Sequence, residues 1–111
     1  MVDLSWEEFE RVELRVGTIV RAEDFPEARN PAFKVWVDFG ELGIKKSSAQ
    51  ICTHYTKDEL IGKQILGVLN FPPKQIGPFR SEFLVTGVPD ADGGIVLVEP
   101  NLPAPNGARL R

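Results

Sequence analysis

The residues whose types and spacing could do chemistry here are cations and neutral polar groups, concentrated in one stretch. Lys45, Lys46, Lys57, Lys63, Lys74 and Arg80 fall between residues 44 and 81, where only Asp58 and Glu59 are acidic. Six basic against two acidic groups give that stretch +4, whereas residues 1–43 carry −5 and residues 82–111 carry −2. The whole chain, with 13 Lys+Arg and 16 Asp+Glu, is at −3, which excludes a uniformly basic nucleic-acid binder. The chemistry on offer is ion pairing and hydrogen bonding to an anionic partner at one electropositive face. Charge clustering alone is equally compatible with a solvated face.

Bond-making chemistry has little to work with. His54 is the only histidine, and a metal site or a nucleophile–base arrangement would have to be built around it. Cys52 stands two residues away, but two ligands are too few for a closed zinc site. Neither standard form of glycine-rich phosphate loop occurs, and Gly93-Gly94 reads as a turn. The many carboxylates of the first 43 residues sit on alternating positions and helix starts, which is the pattern of a solvated face.

The bulk numbers bound the rest. A chain of 111 residues implies one domain with a modest core. Hydrophobic residues at 42% and charged residues at 26% are ordinary for a soluble globule. A lone cysteine forbids an intrachain disulfide and fits a reducing compartment. No charged-then-apolar leader opens the sequence and no apolar run is long enough for a bilayer. The expectation is a cytoplasmic protein without membrane insertion.

Several short elements must position the polar groups. Ser5 followed three residues later by Glu8 is a capping box, predicting a helix from about Trp6 to Glu10. Its Trp6 and Phe9 either plug a barrel end or reach a second subunit. Val12, Leu14, Val16, Thr18 and Val20 alternate with Glu13, Arg15, Gly17, Ile19 and Arg21 and predict a strand with one buried face, with Gly17 marking a bulge or sharp coil. Phe33, Val35, Val37 and Phe39 predict a second strand, with Trp36 on its outer face, covered by another element. Ile44 to Cys52 is a third strand, polar on both faces, as suits an exposed sheet or a binding face. Thr56 and Glu59 form a second capping box, starting a helix that ends near Gly62. Gln64 to Asn70 predicts a strand buried on both faces. Pro72-Pro73 stops it and stiffens a basic loop reaching to Ser81. Glu82–Val88 and Gly94–Val98 are two more strands, and the tail from Pro100 is loop. About six strands with a helix between the third and fourth fit an all-β Greek-key barrel of the oligonucleotide-binding (OB) fold.

Three blocks of sequence then carry a family resemblance. Phe9-Glu10-Arg11-Val12-Glu13-Leu14-Arg15-Val16-Gly17-Thr18-Ile19 resembles the opening of tRNA-binding domains related to the C-terminal domain of methionyl-tRNA synthetase. Tyr55-Thr56-Lys57-Asp58-Glu59-Leu60-Ile61-Gly62-Lys63 continues it, and Asn70, Pro73-Lys74, Gly77 and Ser81-Glu82 complete it. Within that family, Phe25-Pro26-Glu27-Ala28-Arg29-Asn30-Pro31, Ser47-Ser48-Ala49-Gln50-Ile51 and Asn70-Phe71-Pro72-Pro73 look like the CsaA secretion chaperones. Arg29-Asn30-Pro31 replaces the Ala-Asp-Lys-Leu segment of the synthetase appendices, and Phe83-Leu84 replaces their Gly-Met. These departures add bulky apolar groups beside the basic loop.

The resemblance implies a single OB domain over residues 1–111, a homodimer, no cofactor and no catalysis. The implied function is holding unfolded, export-bound polypeptides, together with binding of tRNA. The alternative is a stand-alone tRNA-binding module assisting a synthetase. For tRNA the expected contacts are Lys45, Lys46, Lys74 and Arg80 on phosphates, with Ser48, Gln50, Asn70 and Ser81 beside them. Phe71, Phe79 and Phe83 are expected to line a groove for unfolded chain, the other reading being that all three are core. Trp6, Phe9, Leu102, Pro103 and Leu110 are expected at the dimer interface.

Overall fold

A computed structural model describes every residue from Met1 to Arg111. The chain order is α1 (Trp6–Glu10), β1 (Leu14–Asp24), β2 (Phe33–Asp38), β3 (Ile44–Ala49), α2 (Lys57–Leu60) and β4 (Gln64–Val68). Then follow β5 (Lys74–Ile76), β6 (Phe79–Ser81), β7 (Leu84–Val85), β8 (Gly87–Pro89) and β9 (Ile95–Leu97). One sheet, in the order β3-β2-β1-β4-β7 with every neighbouring pair antiparallel, curls into a nearly closed OB-type barrel. Helix α2 sits between β3 and β4, as the spacing predicts, and both helices start on complete capping boxes.

Two expectations about strands are corrected. The first concerns β1. Its core-facing residue is Ile19, only 1% exposed, while Val20 is exposed. The inward parity is already set at Gly17, where a side chain would meet Val37 and Phe39, and the register shift with β2 between Ile19 and Arg21 then brings Ala22 to the core side. The C-terminal tail pairs with the edge of β1 that β2 leaves free: Val16 N donates to Ala108 O at 2.9 Å, and Gly107 N to Val16 O at 2.7 Å. So Val16 is buried by the tail rather than by the barrel interior.

The second correction concerns the basic loop, which is a β-hairpin. Lys74 pairs with Ser81, Gln75 with Arg80 and Ile76 with Phe79. Gly77, at φ +56°, makes the two-residue turn that a side-chain-bearing residue would strain. The prolines at 72, 73 and 78 hide this pairing in the sequence. The two late strands also break up, into β7, β8 and β9, giving nine short strands in all.

The main core contains Ile19, Val35, Val37, Phe39, Leu60, Ile65 and Phe83. Phe39 and Phe83 meet edge to face, ring centres 5.0 Å apart. They fill the room left by two glycines. A Cβ on Gly17 would lie 2.5 Å from Val37 and 2.7 Å from Phe39, and one on Gly67 would lie 2.9 Å from both Phe39 and Phe83. The polar-looking β3 also buries one face, with Ser47 at 1% and Ala49 at 5% exposure. Its residues are small because those rings occupy the interior opposite. The Ser47 hydroxyl, 2.9 Å from the Phe83 carbonyl, is satisfied there.

A smaller core holds the hairpin. Phe25, Ala32 and Phe79 are buried together, with Ala28, Trp36 and Ile76 packed against them. Phe79 meets Phe25 at 5.3 Å and Trp36 at 6.1 Å, both edge to face. Trp36 is thereby covered, as expected for an outer-face tryptophan. No helix is long and apolar enough to cross a membrane.

Candidate nucleic-acid interface

Sheet register decides which polar groups share a face. Lys34 lies opposite Ser48 and Trp36 opposite Lys46 across β2 and β3, and Arg21 lies opposite Trp36 across β1 and β2. Since alternate residues share a side, the outer face carries Arg21, Lys34, Trp36, Lys46 and Ser48. Aromatic rings lie under these cations. The Arg21 guanidinium sits 4.5 Å from the Trp36 ring centre, and the Lys46 ammonium 5.3 Å from that of Phe79. Lys34 lies 5.6 Å from Phe25 and 5.8 Å from Phe79. Each ring's negative face holds a cation in place without neutralising it.

Carboxylates sort the cations into two groups. Arg21 and Lys34 both reach Glu23, Lys57 reaches Asp24 and Lys63 reaches Glu99. Lys45, Lys46, Lys74 and Arg80 make no ion pair. Their charge is therefore available to an external anion. Arg21 and Lys34 escape sequence reasoning because they stand alone in an acid-rich segment. The signal that could have found them is the outward phase they share with Trp36 and, in Lys34's case, its place on the same strand.

Beside this face, a groove of about 390 Å³ opens between β3 and the hairpin. Ser48, Gln50, Lys74, Phe71 and Leu84 line it, with Ser81 and Phe83 deeper. Phe71 is 55% and Leu84 49% exposed, large apolar areas for a free surface. Leu84 was not among the expected groove residues. It follows from the strand alternation, which turns Phe83 in and Leu84 out.

Several expected contacts do other work. Asn70 is a clip: its Oδ1 accepts from Glu13 N at 3.1 Å, and its Nδ2 donates to Arg11 O at 2.6 Å. Both halves of the amide tie the segment before β1 to the end of β4, away from the groove. Ser81 is 9% exposed, and its Oγ accepts from Ser48 N at 3.1 Å. Glu82 assists it: Glu82 N donates to Lys46 O at 2.8 Å, while Lys46 N donates to Glu82 Oε1 at 3.0 Å. Ser81 and Glu82 thus cover half of the free edge of β3, where a neighbouring strand would otherwise pair.

Lys45 faces the opposite side of β3 from Lys46, in a depression with Glu13, Arg15 and Asn70. Arg80 shares the hairpin's outward face with Gln75, since Phe79 and Ser81 on either side point inward. Phe79 is 7% exposed and belongs to the smaller core, so its expected place on a protruding loop is corrected. Its ring is needed to anchor the hairpin. Phe83 is 5% exposed, a core residue with one edge at the groove floor.

The chain termini form a second surface. Helix α1 buries none of its residues, and Trp6 is 80% exposed. Trp6, Phe9 and Leu110 line one hollow of about 330 Å³ with Glu10, Arg109 and Arg111. Trp6 does not plug the barrel. Leu102 and Pro103 are exposed but lie outside that hollow, on the stretch ahead of Ala104 that Gln64 clamps.

The residues that could carry reaction chemistry are otherwise engaged. Burial, then the Asp24 carboxylate, pushes the Cys52 thiol up, away from nucleophilic behaviour. His54 Nε2 lies 2.5 Å from Asp90 Oδ2. That hydrogen bond, then the one from Asp92 N, holds the Asp90 carboxyl below its ordinary value. The pair fastens the turn after β3 to the turn between β8 and β9.

Known proteins share this sequence pattern and this barrel. Residues 14–109 match the family described as "Putative tRNA binding domain". The structure of chaperone CsaA from Bacillus anthracis superposes with a TM-score of 0.91 at 50% identity, over 99% of this chain and 100% of that one. CsaA from Picrophilus torridus gives 0.91 at 44% identity, over 98% and 100%. The methionine–tRNA ligase of Chlorobium chlorochromatii is 36% identical over 108 residues, which is 97% of this chain but 15% of the ligase. With residues 14–109 matched and the barrel reproduced from end to end, the chain belongs to the tRNA-binding domain family.

Proposed function

We propose that this protein is a CsaA-like holding chaperone, which retains unfolded, export-bound polypeptides in the cytoplasm and also binds tRNA. The observation that carries the reading is the groove in which exposed Phe71 and Leu84 stand beside Lys74. Apolar walls receive exposed apolar side chains of an unfolded segment. Holding needs no nucleotide and no bond-making step. Reversible binding of the unfolded state shifts its population by mass action, which keeps it from aggregating. The role is that of a binding module. The ligases it resembles are enzymes of which this domain spans only about 15%.

The cations without carboxylate partners favour tRNA as a second ligand. Lys74 lines the groove, Lys46 stands on the adjoining face, Arg80 stands on the hairpin, and Lys45 extends the basic area around the edge of β3. Each phosphate neutralised releases counterions, so binding weakens as salt rises. The second reading, a stand-alone tRNA-binding module, rests on this same set of cations.

A homodimer completes the proposal, with Trp6, Phe9 and Leu110 meeting their two-fold mates. Leu102 and Pro103 stand apart from that hollow and contribute at most its rim. One experiment separates the two readings. The protein is mixed with chemically unfolded citrate synthase, light scattering is followed, and bulk tRNA is then added. Suppressed aggregation is the expected result. Unchanged aggregation together with tight tRNA binding removes the chaperone reading and leaves the module.

A further inference from the structure

Of the two aromatic rings at the groove, Phe83 belongs to the core and Phe71 is free. Phe71 is 55% exposed. Trp36, Phe25 and Phe79 carry cations on their faces, but no cation and no second ring lies on Phe71. Pro72 and Pro73 follow it and stiffen its loop, so little order is lost when the ring takes a ligand. The β3 side of the groove offers unspent polar groups. Ser48 bonds to Ser81 and Ser47 through its main chain alone, which leaves its hydroxyl open. Gln50 is exposed, and its amide makes no hydrogen bond. Lys74 lines the groove without an ion pair, and no carboxylate lines it. Glu82, next to Ser81, is tied to Lys46 N.

We infer that an unpaired nucleotide of the tRNA enters this groove with its base stacked on Phe71, and so excludes the polypeptide from it. The inference rests on the two binding activities proposed above and says how they are related. Stacking on an exposed aromatic ring tolerates any sequence, since every base has a π-face. The Gln50 amide holds a donor and an acceptor side by side, a pair that the Watson–Crick edge of an unpaired base answers. In a duplex that edge is used and both faces are covered, so a paired base has nothing to offer Phe71 or Gln50. Lys74 at the lip then meets the nucleotide's phosphate, a contact that an uncharged apolar segment does not make. At about 390 Å³ the groove is near the small end of ligand pockets, roughly 300–1,000 Å³, so a base and an apolar polypeptide segment cannot occupy it together. Phosphate contacts weaken with salt, whereas apolar burial is not screened by it. Exchange between the two ligands therefore runs toward the polypeptide as salt rises.

The test uses the full-length protein, a short RNA without self-complementarity, the blunt duplex it forms with its complement, and fluorescently labelled carboxymethylated lactalbumin as a permanently unfolded polypeptide. Phe71→Ala should weaken binding of the single strand about tenfold, the worth of one stacked base. Its salt slope should stay that of the parent, because stacking neutralises no phosphate, and duplex binding should not change. Phe71→Leu, which keeps apolar bulk but not the flat ring, should show most of the same loss. Single-stranded RNA should displace the labelled polypeptide competitively, and less effectively at higher salt. Equal affinity of the parent and either Phe71 variant for the single strand, or a complex holding RNA and polypeptide at once, overturns the shared groove while leaving both binding activities standing. Failure of the single strand and of bulk tRNA to bind at low salt removes the tRNA activity and this inference together, with the holding function untouched.

Discussion

Two apolar surfaces of this protein differ in how their charges are treated. At the groove, Phe71 and Leu84 stand beside Lys74, with Lys46 on the adjoining face, and neither cation has a carboxylate partner. At the terminal hollow, Trp6, Phe9 and Leu110 stand beside Arg109, whose guanidinium already binds Glu10 O and reaches Glu13 at 3.7 Å. A partner at the groove meets exposed apolar area beside free positive charge. A partner at the hollow meets more apolar area, one guanidinium already engaged, and charges of both signs in Glu10 and Arg111. The first arrangement suits ligands that come and go with salt and sequence. The second suits one fixed partner, such as another copy of the chain.

The largest effect that could break this comparison lies beneath the groove. Phe79→Ser should cost about 3–5 kcal/mol, because the ring fills the smaller core that seats the hairpin. Thermal unfolding should show a fall of well over ten degrees, at roughly 4–8 °C per kcal/mol for a domain near this size. An unmoved melting temperature would mean that the hairpin is held by something else.

Next in size is the combined neutralisation of Lys45, Lys46, Lys74 and Arg80 to alanine. The intact protein should bind bulk tRNA with a log–log salt slope of roughly −3 to −4. The combined variant should lose most of that slope, and Lys74→Ala alone should reduce it by roughly one. Melting temperatures should barely change, since exposed charges contribute little to stability. Titrations at several salt concentrations check this, and equal slopes in all variants would remove the basic face as the binding site.

Trp6→Ala sharpens the other side of the comparison. It should weaken self-association by roughly tenfold or more, as truncating a buried aromatic anchor does, while leaving the tRNA salt slope unchanged. Sedimentation at micromolar concentration is the readout. A parent protein that is already monomeric there would end the dimer proposal.

The smallest effect belongs to the clasp between the two turns. The Asp90 carboxyl is held below its ordinary value of 3.8, chiefly by His54. A depressed carboxylate contributes its tie above that ordinary value and loses it as pH falls through the lower folded value. NMR titration should place the Asp90 midpoint below 3.8, and His54→Ala should move it upward. A midpoint that ignores the substitution would show that the turn's own amides set it.

Much of this was legible in the residues. Both capping boxes announced their helices, and the apolar alternation of Phe33, Val35 and Val37 gave β2 its inner face. What stayed hidden depended on chain segments far apart in sequence. Nothing local to β1 tells that residues 107–110 will pair with its first half, which is why Val16 is buried as well as the core-facing Ile19. Prolines disguised the hairpin because breakers and turn formers are the same residues. For the site, composition located the cations but not their partners. That Lys45 and Lys46 diverge follows from strand parity. That Asn70 and Ser81 are spent on main-chain groups follows only from the fold.

The glycine pair in the barrel interior has an evolutionary consequence. Gly17 and Gly67 leave the room that Phe39 and Phe83 occupy, so no member of the four can change size alone. Phe83 also reaches the groove floor. Descendants of this sequence that alter the groove at Phe83 must therefore drift at Gly67 as well, and a Gly67→Ala lineage survives only after the ring opposite has shrunk. The order of substitutions is constrained even where the ligand is indifferent, and the shape of the groove is inherited together with the shape of the core.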